Sequence, residues 1–163
     1  MKRLISIIIT MLLTLSLIGC SGSKEKKELL NYIDNDMAEY EVLETQIINS
    51  MNSIISKKLD SDMLKELATN TMNLTILLND KAVKCSYTLE SKELKDIHEK
   101  YIEYTNSLLS AFSMLSSAIQ TNDTSLIDSA TKKFEEADTV AQDYLGKLQD
   151  YAKKHDVELK FAE

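Results

Sequence analysis

Along most of the chain, apolar residues recur at alternating steps of three and four, the spacing of a helix that buries one face. The pattern breaks three times, so it predicts four amphipathic helices. The first seam runs Leu30, Ile33, Met37, Tyr40, Glu44, Ile47, Met51, Ile54, widened by Leu29, Leu43, Ile48 and Ile55 to a core-facing stripe. The second is less regular: Leu64, Leu67, Thr71, Leu74, Leu78, Lys81, Cys85, with Ala68, Leu77 and Ala82 beside it. The third reads Leu94, Ile97, Tyr101, Tyr104, Leu108, Ala111, Leu115, Ala118. The fourth is the cleanest, with Ile127, Ala130, Phe134, Ala137, Ala141, Tyr144, Leu148 and Tyr151.

The breaks carry helix-start chemistry. Leu59-Asp60-Ser61-Asp62 precedes the second helix, and Ser91 is placed to cap the third, with Glu93 complementing its dipole. Before the fourth, Ser125 and Asp128 have the spacing of a capping box. Lys153, Lys154 and His155 put positive charge at that helix's negative end. Helices of about 25–32 residues, each roughly 38–48 Å long, joined by short links, predict an all-α, antiparallel up-down-up-down four-helix bundle with coiled-coil-like seams over residues 26–156. Three helices with a loose arm are the alternative. Residues 157–163 alternate like a strand with no visible partner and are expected to be extended or frayed.

A different pattern precedes the seams. Met1, Lys2 and Arg3 give a cationic start, and Leu4 to Ile18 form a 15-residue apolar run, short of the roughly 20 residues that span a bilayer. This describes an export signal. Leu17-Ile18-Gly19-Cys20 resembles the bacterial lipobox. The resemblance implies a lipoprotein signal peptide at 1–19, cleavage before Cys20, and a diacylglyceryl thioether on that cysteine. Two acyl chains hold a protein stably at a membrane. Residues 20–25 would form a short tether, with Lys24, Lys26 and Lys27 available to anionic headgroups at about 1 kcal/mol each.

Without residues 1–19 the 163-residue chain keeps 144, one domain's worth. Losing Lys2 and Arg3 from 19 cations leaves 17 against 26 acids, a net charge of −9. Such a balance excludes nucleic acid as a partner, since phosphates demand a basic surface. The chain has no Pro or Trp and little Gly, which favours helices over sheets. Cys85 is the only cysteine besides Cys20 and is expected to be a small buried apolar residue.

Catalytic and metal patterns are missing from the sequence. A di-iron bundle needs Glu-x-x-His on two helices, but Lys95 stands three residues before His98 and Ala152 three before His155. Beside the seam, next to Asp96 and Glu99, His98 reads as a surface residue. With no base assigned to Cys85 and no Gly-rich phosphate loop, the chain is expected not to be an enzyme and to need no cofactor.

Glu44 is the one charged residue on the first seam, and a buried carboxylate is costly unless paired. With helix ends aligned, its level coincides with Thr75, Ala111 and Ala137, a small-residue layer that makes it the candidate ligand-binding residue. In the bland reading Leu43 points inward and Glu44 turns to the boundary. Tyr32, Tyr40, Tyr87, Tyr101, Tyr104, Tyr144 and Tyr151 read mainly as core edge. Glu135, Glu136, Asp138 and Asp143 read as a solvated face on the fourth helix.

Lys27-Glu28-Leu29-Leu30-Asn31-Tyr32-Ile33-Asp34-Asn35-Asp36, the stretch Leu94 to Glu103 and the stretch Ala152 to Glu158 resemble a family of small, uncharacterised Gram-positive lipoproteins with an all-helical domain. That resemblance implies lipid anchoring at the cell membrane, facing outward, and four helices; it implies no activity. The expected role is a protein-interaction module with a partner in the cell envelope. A small-ligand-binding or sensing bundle is one alternative, and an immunity or phage-exclusion lipoprotein another.

Overall fold

The computed structural model describes residues 23–56 and 60–159. The leader, Cys20, Leu59 and the last residues of the tail lie outside the described residues. Ser23 starts the first helical rod, its hydroxyl accepting the Lys26 N–H. That rod runs without a break through α1 (Lys24–Asn31), a π-helical segment (Tyr32–Met37) and α2 (Ala38–Ser56). Three more helices come after it: α3 (Ser61–Ser86), α4 (Lys92–Thr121) and α5 (Ser125–Lys154). The protein is therefore all-helical, with four rods packed in chain order. Its first helix starts two residues earlier than the seam suggests, because Ser23 caps it.

The caps agree with the sequence at two of the three later starts. Asp60 accepts the N–H groups of Asp62 and Met63 ahead of α3, and Ser91 Oγ accepts the Leu94 N–H ahead of α4. The third differs. Asp123 captures both the N–H and the hydroxyl of Ser125, at 2.9 and 2.7 Å. The Ser125 hydroxyl is thereby a donor to the preceding turn, and no capping box with Asp128 forms. Asn122 ends α4 in the left-handed conformation, φ 55°, which Asn tolerates better than most residues.

Of the tail expected to be extended or frayed, Val157 to Leu159 lie within the described residues, and they are held against the helices. Asp156 also has φ 55°; its N–H bonds to the Lys153 carbonyl and the Val157 N–H to the Ala152 carbonyl. This pairing is a Schellman turn. It reverses the chain and buries Val157 and Leu159 in the core. These alternating apolar residues have a helical partner, which the strand-like pattern concealed.

Contacts between rods fix the register. Ser91 meets Tyr151, Tyr101 meets Tyr144, and Phe112 meets Phe134 edge to face at 5.0 Å. Rising numbers on α4 oppose falling numbers on α5, so the two run in opposite directions. Tyr32 and Met37 of the first rod meet Tyr144, Glu39 pairs with Lys81 of α3, and Asn79 donates to Thr105 and Asn106 of α4.

The third and fourth seams are buried much as read, although Ile127 is exposed. The second is rotated. Its buried line is Ala68, Thr71, Thr75, Leu78, Ala82, Cys85, while Leu64, Leu67 and Leu74 are half-buried and Leu77 exposed. Large rings elsewhere explain the shift. Tyr40 lies beside Cys85 and His98 against the Ala82 carbonyl, so α3 presents small side chains where rings fill the interior. Thr71 and Thr75 satisfy their hydroxyls on the carbonyls four residues back.

Candidate functional site

The π segment sets up the most unusual part of the interior. Its i→i+5 bonding brings residues five apart to nearly one face, whereas α-helical spacing separates them. Tyr32 and Met37 are five apart, and both reach the same atom: Tyr144 Oη lies 2.8 Å from Tyr32 Oη and 2.9 Å from Met37 Sδ.

Tyr32 then passes the network to α4. Its hydroxyl lies 2.9 Å from Nδ1 of His98, whose Nε2 lies 2.7 Å from the Ala82 carbonyl of α3. A carbonyl only accepts, so Nε2 carries the proton and Nδ1 accepts from Tyr32. The single Tyr144 hydroxyl proton is then shared between the Tyr32 oxygen and Met37 Sδ. Burial holds the His98 pKa below its ordinary value, against the opposing pull of the Ala82 bond and Asp36. The imidazole is thus neutral and cross-links the first rod, α3 and α4.

This placement corrects the reading of His98 as a surface residue: its exposure is 0%. The third helix packs against neighbours on both sides, so its buried face is wider than one seam and takes in His98, Thr105 and Phe112 besides Ile97, Tyr104 and Leu108. Charged neighbours in sequence say nothing about a residue 100° away on a helix.

Glu44 is buried too, at 3% exposure, and so is Leu43. The carboxylate therefore does not turn to the boundary. It accepts a hydrogen bond from Tyr101 Oη at 2.9 Å, with Tyr104 a second partner. Desolvation raises its pKa to about 7, partly offset by these two hydroxyls. Its hydrogen-bond partners are two tyrosines of α4, whose long side chains reach the carboxylate, and not the small residues Thr75, Ala111 and Ala137 expected at its level.

Stacked rings join the two halves of the network. Tyr40 stacks on Tyr101 at 4.8 Å and 13°, and His98 lies 6.0 Å from Tyr101. Tyr32 meets His98 edge-on. Beside Tyr40, the Cys85 thiol is buried, and desolvation pushes it up to about 11. Half-buried Asp36 is raised by the same cause. The Tyr40 hydroxyl is buried and faces the Cys85 thiol. Of the seven tyrosines, Tyr87 alone is well exposed, at 79%.

The surface offers other features. A groove of about 390 Å³ between α4 and α5 is lined by Glu93, Asp96, Ile97, Asp150, Tyr151 and Lys154, among others, with Lys154 paired to Glu93 at 2.5 Å. Lys24 pairs with Glu90, and Lys26 donates to the Asp156 carbonyl at 3.0 Å. Two of the three tether lysines are thus engaged within the protein. Glu135, Glu136 and Asp143 are exposed on α5, and Asp138 is half-buried. Among the described residues, no group of three or more His, Cys, Asp or Glu is placed to hold a metal, and no helix is long and apolar enough to cross a membrane.

Comparison with protein-family models, with curated proteins and with solved structures finds no match.

Proposed function

We propose that this chain is a membrane-anchored surface lipoprotein acting as a non-enzymatic protein-interaction module. In this reading residues 1–19 are a signal peptide, Cys20 carries a diacylglyceryl group, and an up-down-up-down bundle stands outside the cell membrane. The bundle needs no cofactor. Its net charge of −9 after cleavage turns nucleic acid away.

One observation carries the interaction reading: α3 turns small residues inward and leaves large ones accessible. Met63 and Leu77 are 54% and 45% exposed, and half-buried Leu67 and Leu74 lie along the same side of the helix. Exposed Asp62, Glu66 and Asp80 flank them. Apolar anchors inside a charged rim are the ordinary build of a docking face, in which a few side chains supply most of the affinity.

The test places a photo-crosslinking residue at Leu77 and, separately, at Asp143 on α5, in the native anchored protein. The reading expects one defined protein adduct from position 77, absent from position 143 and abolished by Met63→Asp. Equal labelling from both positions refutes the α3 face. The groove between α4 and α5 favours a second reading, a small ligand held between helices. A co-purifying small molecule with no protein captured would replace the first reading with the second.

A further inference from the structure

One end of the molecule collects three chain segments: the start of α1, the turn between α3 and α4, and the Schellman turn after α5. The Lys24–Glu90 ion pair and the bond from Lys26 to the Asp156 carbonyl tie them together. The Glu28 carboxylate adds to this by accepting the Ser91 N–H. Tyr87 stands in the α3–α4 turn with 79% of its surface exposed, the most accessible large apolar side chain among the described residues. A helix of α4's length carries the opposite turn, at Asn122 to Thr124, roughly 45 Å away.

We infer that this end is the surface the protein lays on the lipid of its own anchoring membrane, with Tyr87 seated at the headgroup level. The inference rests on the lipid-anchor reading of Cys20. Two residues, Ser21 and Gly22, separate Cys20 from the cap at Ser23, and the three steps along the chain reach at most about 10 Å. The bundle's first turn is therefore held against the bilayer, and the α3–α4 turn packed on it comes along. A tyrosine ring, apolar in body and polar at its tip, suits the boundary between acyl chains and water.

Charge agrees with this choice of end. The carboxylates of Glu28, Glu90 and Glu93 are engaged by partners within the protein. Lys27, Lys92 and Lys153 are exposed around the turn segments, against Glu25, Asp156 and Glu158. Among the described residues named here this end is neutral, while the chain beyond residue 19 carries −9. The excess of acid therefore lies elsewhere on the protein.

The chain has no tryptophan, so Tyr87→Trp supplies a single tryptophan whose emission is read apart from that of the tyrosines, and Thr124→Trp at the far turn supplies its control. Each full-length, lipid-modified variant is reconstituted into phosphatidylcholine–phosphatidylglycerol vesicles whose acyl chains are brominated near the headgroup. Thermal melts establish that both variants are folded. The expected result is at least a twofold fall in emission at position 87 and no change at position 124. Lipid-modified protein that floats with the vesicles but is unquenched at position 87 overturns this inference alone. A blue shift at position 87 that grows with protein density without bromine quenching also overturns it, assigning the tyrosine to contact between proteins. A protein whose intact mass shows no diacylglyceryl on Cys20 overturns the anchor reading and this inference with it.

Discussion

Replacing Glu44 with Gln tests the interior most directly, because the substitution keeps the shape and removes the charge. The amide oxygen can accept the Tyr101 hydroxyl, and the amide nitrogen can donate to the Tyr104 oxygen. In the native protein, burial raises the carboxyl from 4.5 to about 7. At 1.36 kcal/mol per pKa unit this is worth about 3 kcal/mol. Because the folded pKa lies above the unfolded one, the folded state holds the proton more tightly. The contribution is fully present below about pH 4.5, declines between 4.5 and 7, and is lost above 7. For a domain of this size the loss corresponds to roughly 10 °C in Tm.

Other groups titrate in the same window. Asp36, raised by burial, acts in the same direction. His98, depressed by burial, acts in the opposite one: its contribution is present above 6.5 and lost as pH falls through the lower folded value. Both are present in either protein, so the difference in Tm between Glu44→Gln and wild type isolates Glu44. Melts monitored by circular dichroism from pH 4 to pH 8 should show that difference rising by roughly 10 °C in favour of the variant. A difference that stays flat with pH would refute the buried, solvent-excluded carboxyl.

Single residues give four further tests. Tyr32→Phe removes the hydroxyl that joins His98 to Tyr144, leaving buried partners unsatisfied; urea denaturation should show a loss of about 1–3 kcal/mol. Asp60→Ala removes two bonds to the start of α3 and should cost about 1 kcal/mol in the same assay. Gly146 is exposed inside α5 with open space where a Cβ would sit, so Gly146→Ala should raise stability by about 0.5–1 kcal/mol. Cys85, buried and pushed up to about 11, should resist a thiol-specific chromogenic reagent at pH 8 in the folded protein and react fully once denatured.

Four helices, their approximate bounds and most of the core were legible in the sequence, because periodicity and capping residues are local signals. The seam of α5 shows this: Ala130, Phe134, Ala137, Ala141, Tyr144, Leu148 and Tyr151 are all buried as read. The features that escaped depend on neighbours. The inward turn of Thr75 and the outward turn of Leu77 on α3 result from rings on other helices, which the periodicity of α3 does not register. His98 escaped because its burial reflects packing on two sides of α4. Glu44 was singled out for its place on an apolar seam, yet its partners, Tyr101 and Tyr104, emerge only when the first rod is laid along α4. No sequence rule marks the π segment, so the meeting of Tyr32 and Met37 on Tyr144 was hidden entirely.

That segment also separates two jobs along one continuous rod. One added residue in a helical turn swings the helix before it by about 100° relative to the helix after it. The opening two turns thus aim Lys24, Lys26 and Glu28 at Glu90, the Asp156 carbonyl and the Ser91 N–H while α2 keeps its own heading toward α3. The two stretches face different neighbours across a fixed offset, and the chain stays helical from Lys24 to Ser56 with neither glycine nor proline at the joint.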